Sequence, residues 1–333
     1  MKIKPMTKFA ILALSLVLVA CAGGGSEEAG CPAIDGREIN VVATTPMIGE
    51  FVSQVGGENI NLTVLMPPEA NPHTYEPAPQ DAGTIAEADL VFYTGLLYEP
   101  AALVKLLENS ACSTDILSEV GESVFPIEFK EGGHDDHDDH DDHDDEEGHD
   151  DHEGHNHGAY DPHFWFDPSR VAYAAEYIES RLIQFDPENE SSYKSSADSF
   201  VSELNDLTKQ VSELISTVPS QNRKLITTHE SLGYLEAKFG LEVLSTIIPS
   251  LNSANEISPS DLAGVIDVIE DNNVKVIFIE SEAPSVYSET IVAETGIKPV
   301  TGLYVETLKP GQSYSEFLIS NVKLITENLQ DTD

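Results

Sequence analysis

The pattern of apolar residues predicts an α/β fold of two parallel-sheet domains joined by one long rigid helix. Three observations carry this. Short β-branched runs alternate with segments of helical period in the first part of the chain. The same alternation returns in the last part. Between them, one unbroken helical pattern covers 188–218. Strands alternating with helices are the signature of a parallel sheet with helical crossovers. A helix of about thirty residues is ~45 Å long, which suits a strut between two domains better than an element of either.

Taken in order, 39–45 reads as a buried strand, 47–55 as a helix and 60–66 as a second strand. The loop Pro67-Pro68-Glu69-Ala70-Asn71-Pro72-His73 follows. Then come a helix over 79–87, a strand over 90–93 turning at Gly95, and a helix over 98–109. A helix is expected over 169–185, broken by Asp186-Pro187. In the long helix Phe200, Leu204, Leu207, Val211, Leu214 and Ile215 recur at three- and four-residue steps, and Pro219 ends it. The second domain reads as strand 224–228 ending at His229, helix 232–239, strand 242–248 and helix 262–272 behind a Ser258-Pro259 start. An almost wholly apolar strand follows at 274–279, expected to be buried on both faces. Helix 287–296, strand 299–304 and helix 314–328 close the chain. The divisions expected are 1–20 signal peptide, 21–30 tether, 31–187 first α/β domain, 188–218 linking helix and 219–333 second α/β domain.

The chain has 333 residues, 40% of them hydrophobic, and a net charge of −42. That charge opposes nucleic-acid binding, since no basic groove exists to follow a phosphate backbone, and it attracts cations. Its N-terminus has the order of an export signal: Lys2, Lys4 and Lys8, then an apolar run over 9–20 too short to span a bilayer. Leu18-Val19-Ala20-Cys21 resembles a bacterial lipobox, which implies cleavage before Cys21, a lipid on its sulfur and an extracytoplasmic, membrane-anchored address. In that oxidising compartment a disulfide between Cys31 and Cys112 is allowed, although spacing alone does not bring them together.

Eight of the eleven histidines lie in a strip over 131–157 with ten Asp and four Glu: His134, His137, His140, His143, His149, His152, His155 and His157. Imidazole suits zinc, copper and nickel, and carboxylates add oxygen ligands. Such a strip cannot bury a core. It reads as a disordered loop of weak, exchangeable metal sites, against the blander reading of a solvated acidic loop. The three remaining histidines are His73, His163 and His229. Each falls in a loop or at a strand end, where open parallel sheets bind ligands. His163 is followed by Phe164-Trp165-Phe166, a setting that can fix an imidazole against a packed wall.

The stretches Asn71-Pro-His-Thr-Tyr-Glu-Pro77, Phe92-Tyr-Thr-Gly95, Asp161-Pro-His-Phe-Trp-Phe-Asp-Pro168, Thr228-His-Glu-Ser-Leu-Gly-Tyr234 and Val276-Ile-Phe-Ile-Glu280 resemble the ZnuA/TroA-like (cluster A-I) metal-binding lipoproteins of bacterial ABC importers. The resemblance covers nearly the whole mature chain. It implies two α/β domains around a long helix, with a metal site in the interdomain cleft. His73, His163 and His229 fall on the family's three histidine ligand positions. The fourth is usually Asp; the matching run Leu303-Tyr-Val-Glu306-Thr-Leu308 places Glu306 there, one methylene longer. Glu280 resembles a structural residue of the family.

Three nitrogens and one oxygen suit Zn²⁺, whereas manganese sites want more oxygen. The resemblance agrees, because zinc-type members carry His at the position of His229 and a His-rich acidic insertion. The expected function is capture of Zn²⁺, as transported ligand, by a monomeric lipoprotein that delivers it to an ABC permease. The alternatives are a Mn²⁺ or Fe²⁺ importer component and a metal-scavenging surface adhesin. A zinc hydrolase is disfavoured: Glu230 follows His229, but position 233 is Gly, so no His-Glu-x-x-His motif exists.

Overall fold

In the computed structural model residues 31, 34, 36–129, 160–282 and 286–330 are described. The signal and tether, with Cys21, and the whole His/Asp strip lie outside them. Strand β1 (Ile39–Ala43) is the buried β-branched run expected. Helix α1 (Pro46–Gly56) starts where the Thr45 side chain accepts a hydrogen bond from the Ile48 amide, with Pro46 in the first turn. Strand β2 (Ile60–Val64), helix α2 (Pro79–Ala86), strand β3 (Leu90–Tyr93) and helix α3 (Ala101–Ser110) follow. A further strand, β4 (Leu117–Glu119), was not expected; three residues give no readable alternation. The four strands form one parallel sheet in the order β2-β1-β3-β4.

Helix α3 begins three residues later than its helical period suggests. Gly95, Leu96 and Leu97 all have positive φ (76°, 53° and 63°), so the chain turns sharply before Pro100 can open a helix. Helices α4 (Pro168–Phe185) and α5 (Glu190–Ser216) are separated by a short turn at Pro187–Asn189. The apolar face of α5 is buried along its whole length, from Tyr193 through Phe200, Leu204, Leu207 and Val211 to Ile215. It packs on α1 and α4 of the first half and on the last helix of the second. The linking helix is therefore bedded in a core that runs through both halves rather than crossing a gap.

The second half comprises β5 (Lys224–His229), α6 (Gly233–Phe239), β6 (Glu242–Ile248), α7 (Pro259–Asn272), β7 (Val276–Glu280), α8 (Val286–Thr295), β8 (Lys298–Leu303) and α9 (Tyr314–Gln330). Its strands pair in parallel as β5-β6 and β7-β8. Strands β5 and β7 lie side by side without a ladder among the described residues, and side chains join them: the Glu280 amide donates to Thr228 Oγ1 (3.0 Å) and the His229 amide to Glu280 Oε1 (3.1 Å). All five residues of β7 are buried, as its apolar sequence requires. Cys31 and Cys112 are disulfide-bonded, with Cα atoms 5.1 Å apart. An isolated antiparallel bridge joins Glu128 to Tyr160, at the two ends of the segment that carries the strip. No helix of the described residues is long and apolar enough to cross a membrane.

Candidate metal centre

The carboxyl ends of β2, β5 and β8 each lead to one residue of a four-membered cluster. His73 lies in a single helical turn, Pro72–Thr74, after β2. Asn71 fixes the turn by accepting the His73 amide at 2.9 Å, and its Nδ2 reaches across to Ser253 Oγ (3.0 Å) and the Glu282 carbonyl (3.2 Å). His229 is the last residue of β5. Glu306 follows β8, its backbone amide directed at Glu282 Oε1. His163 stands at the head of the turn Phe164–Phe166. All three aromatic residues of that turn are fully buried. Trp165 Nε1 donates to the Val305 carbonyl (2.8 Å), which ties the His163 wall to the loop of Glu306.

One ligand atom from each of His73, His163, His229 and Glu306 lies within 4.8 Å of all the others. Glu306 Oε1 stands 3.1 Å from His73 Nε2 and 3.0 Å from His229 Nε2, and Oε2 stands 3.4 Å from His163 Nε2. Three residues are fully buried and only His73 is partly accessible. Two of the imidazoles are oriented from behind. Asp161 Oδ1 takes both the backbone amide and Nδ1 of His163 (2.9 and 2.8 Å). Glu280 Oε2 takes Nδ1 of His229 (2.5 Å). In each case Nε2 is left for the centre, and neither His163 Nε2 nor His229 Nε2 has a hydrogen-bond partner of acceptable geometry. Buried polar atoms are rarely left so. Orienting the far nitrogen with a carboxylate is how proteins prepare a histidine for a metal.

The electrostatics describe a site that holds protons when it holds no cation. Burial alone would pull the His163 imidazole down, but the Glu306 and Asp161 carboxylates outweigh it and raise it to about 9. Burial opposes His229 in the same way, and Glu280 and Glu306 carry it well above its ordinary value. Burial pushes Glu306 up, yet the three imidazoles hold it well below the usual carboxylate range. Behind it Glu282, pressed by burial and by the Glu306 and Glu280 charges, is raised to about 8.

Three neighbours were not assigned a part from sequence. Asp161 stands inside the motif quoted for His163, where an acid two residues before a histidine was a usable signal. Glu280 matches a structural position in the resemblance, yet it holds the His229 ring. Tyr98, which the helical period places at the start of a helix, instead precedes it, and its hydroxyl lies 3.0 Å from both the carbonyl oxygen and Oε2 of Glu306. Glu230 does not join the cluster. Its carboxylate accepts from Thr246 Oγ1 (2.9 Å) and lines a separate cavity with Asp161, Gly233 and Glu236. Gly233 is needed there, since a Cβ would stand 2.7 Å from Asp161 Oδ2.

A family model described as ZnuA, zinc-uptake complex component A periplasmic, matches residues 41–328. The manganese ABC transporter substrate-binding lipoprotein PsaA of Streptococcus anginosus is 26% identical over 336 residues, covering 98% of this chain and 99% of its own. The high-affinity zinc uptake system protein ZnuA of Bacillus subtilis is 28% identical over 331 residues, covering 96% of each. The solved periplasmic zinc binding protein TroA of Treponema pallidum aligns with a TM-score of 0.74 at 21% identity, over 88% of this chain and 99% of its own, a likeness of fold. With a family model spanning most of its length, the chain belongs to the ZnuA family, the metal-binding solute-binding proteins of ABC importers, which are not enzymes.

Proposed function

We propose that this protein captures Zn²⁺ at His73, His163, His229 and Glu306 and hands it to its ABC permease. The observation that carries this is the convergence of the Nε2 atoms of His73, His163 and His229 on the one buried Glu306 carboxylate, at 3.1, 3.4 and 3.0 Å. Three nitrogens and one oxygen form the donor set zinc takes in a closed tetrahedral shell. Our reading also makes the protein a monomer held at the outer face of the cell membrane by a lipid on Cys21. Its lobes are 31–187 and 219–333, with 188–218 joining them, and the histidines of 131–157 serve as an accessory collector.

A manganese or iron cargo is the second reading, and the name of the streptococcal relative favours manganese. A scavenging adhesin, by contrast, would bind zinc equally well but support no uptake. The test titrates the chain lacking residues 1–21, with and without 131–157, with Zn²⁺ and Mn²⁺ against a chromophoric chelator, beside His163→Ala. One tight zinc equivalent that survives removal of the strip and disappears in His163→Ala is expected. Tight binding confined to the samples that keep 131–157, and unchanged there by His163→Ala, would place the main metal binder in the strip. Tight manganese with weak zinc would favour the second reading.

A further inference from the structure

We propose that Tyr98 sets the metal preference of this centre by restricting Glu306 to one donor oxygen; the inference rests on the zinc reading above. The two oxygens of Glu306 have different surroundings. Oε1 faces His73 Nε2 and His229 Nε2 at 3.1 and 3.0 Å. Oε2 stands 3.4 Å from His163 Nε2 and is also engaged by the Tyr98 hydroxyl at 3.0 Å; the same hydroxyl lies 3.0 Å from the Glu306 carbonyl.

Tyr98 has little freedom to let go. It is 1% exposed, and its ring stands edge-on to His73, Trp165 and His163 with centroids 5.0, 5.3 and 5.9 Å away. The turn that delivers it runs through Gly95, Leu96 and Leu97, all at positive φ. Left-handed backbone at two leucines is strained, and carboxylates hold it in place. Glu99 accepts the amides of Thr94 and Gly95, and Glu119 accepts the amide of Leu96. Glu306 is held as well, its backbone amide aimed at Glu282 Oε1 at 3.3 Å.

A carboxylate can serve a cation with one oxygen or two. Zinc is satisfied by four ligands, which three imidazoles and Oε1 supply. Manganese favours oxygen donors and six positions. To give it Oε2 as well, the centre must draw on an oxygen whose charge and lone pairs the Tyr98 hydroxyl already shares. The cost therefore falls on the cation that needs the extra oxygen and hardly at all on zinc.

The mature chain carrying Tyr98→Phe tests this, since the ring and its packing remain. Zinc and manganese affinities are measured by chelator competition, and the manganese-loaded forms by X-ray absorption. Hydrogen bonds to a charged acceptor are the stronger kind, so we expect manganese affinity to rise about tenfold, with zinc within about threefold of the wild type. One additional oxygen should appear around manganese. In a Glu306→Gln background, which has a single donor oxygen in either case, Tyr98→Phe should leave the zinc-to-manganese ratio where it was. An unchanged ratio in the single variant, or a parallel fall of both affinities, overturns the proposal. A wild-type protein without zinc preference overturns the zinc reading and this inference with it.

Discussion

His229 Nδ1 lies 2.5 Å from Glu280 Oε2, and this contact decides which face of the ring the centre sees. Glu280 is the last residue of β7 and His229 the last of β5, so two strands that share no ladder are joined at their carboxyl ends through the metal-facing residue. Glu280→Ala frees the ring to rotate and removes a negative charge behind it. Zinc affinity should fall about 10–100-fold, the usual cost of losing an orienting partner. Chelator competition reads the loss, and circular dichroism checks that the fold persists.

The raised imidazoles make capture a proton exchange. A cation can enter only as His163 and His229 give up their protons, so zinc binding near neutral pH should release about two protons per metal. Calorimetry in buffers of different ionisation enthalpy counts them. Affinity should climb as pH rises toward about 9, the value to which His163 is raised.

The stability of the metal-free protein should move the other way. A folded-state pKa above the unfolded one contributes stability that is complete below the unfolded value and lost as pH rises through about 9. Glu306, held low, contributes above its unfolded value and loses that contribution as pH falls through its depressed one. The melting advantage of metal-free wild type over His163→Gln should thus shrink between pH 6.5 and about 9. An advantage that grows over that range would contradict the assignment.

The Cys31–Cys112 bond closes a loop of sequence separation 81, and neither cysteine belongs to the four clustered residues. Cys31→Ser should lower unfolding free energy by about 2–4 kcal/mol, chiefly by enlarging the unfolded ensemble. Zinc affinity should be unaffected. Urea unfolding with and without reductant measures the first, and competition titration the second.

Because the buried face of α5 belongs to a core common to both halves, the chain should unfold in one transition. Leu207 is 2% exposed at the middle of that face. Leu207→Ala should cost about 2–5 kcal/mol and shift the whole transition. Two separated transitions, only one of them moved, would show that the halves melt independently.

Much of this fold is legible in the sequence because parallel strands buried on both faces read as plain apolar runs, as β7 does. The convergence of His73, His163 and His229 is legible for a simpler reason. Outside the strip these are the only histidines, and each falls in a loop or at a strand end. Glu306 came from resemblance rather than from any local pattern. The Tyr98 turn was hidden, since no composition rule announces left-handed backbone at two leucines; Gly95 and Pro100 were the only hints, and the helical period of the residues after it pulled the expected helix start too early. Strand β4 was too short to show a period, and the orienting role of Glu280 is a tertiary fact about two strand ends.

The Glu128–Tyr160 bridge brings the chain back almost to the point from which it left. Such a doorway makes the fold nearly indifferent to how much sequence passes through it. Closing a loop costs free energy only as the logarithm of its length, about 0.6 kcal/mol for each doubling. Stretches of histidine and acid can therefore be lengthened, shortened or exchanged by drift at this position while the four clustered residues stay in register. The fold leaves the length and composition of that segment open to rapid evolutionary change.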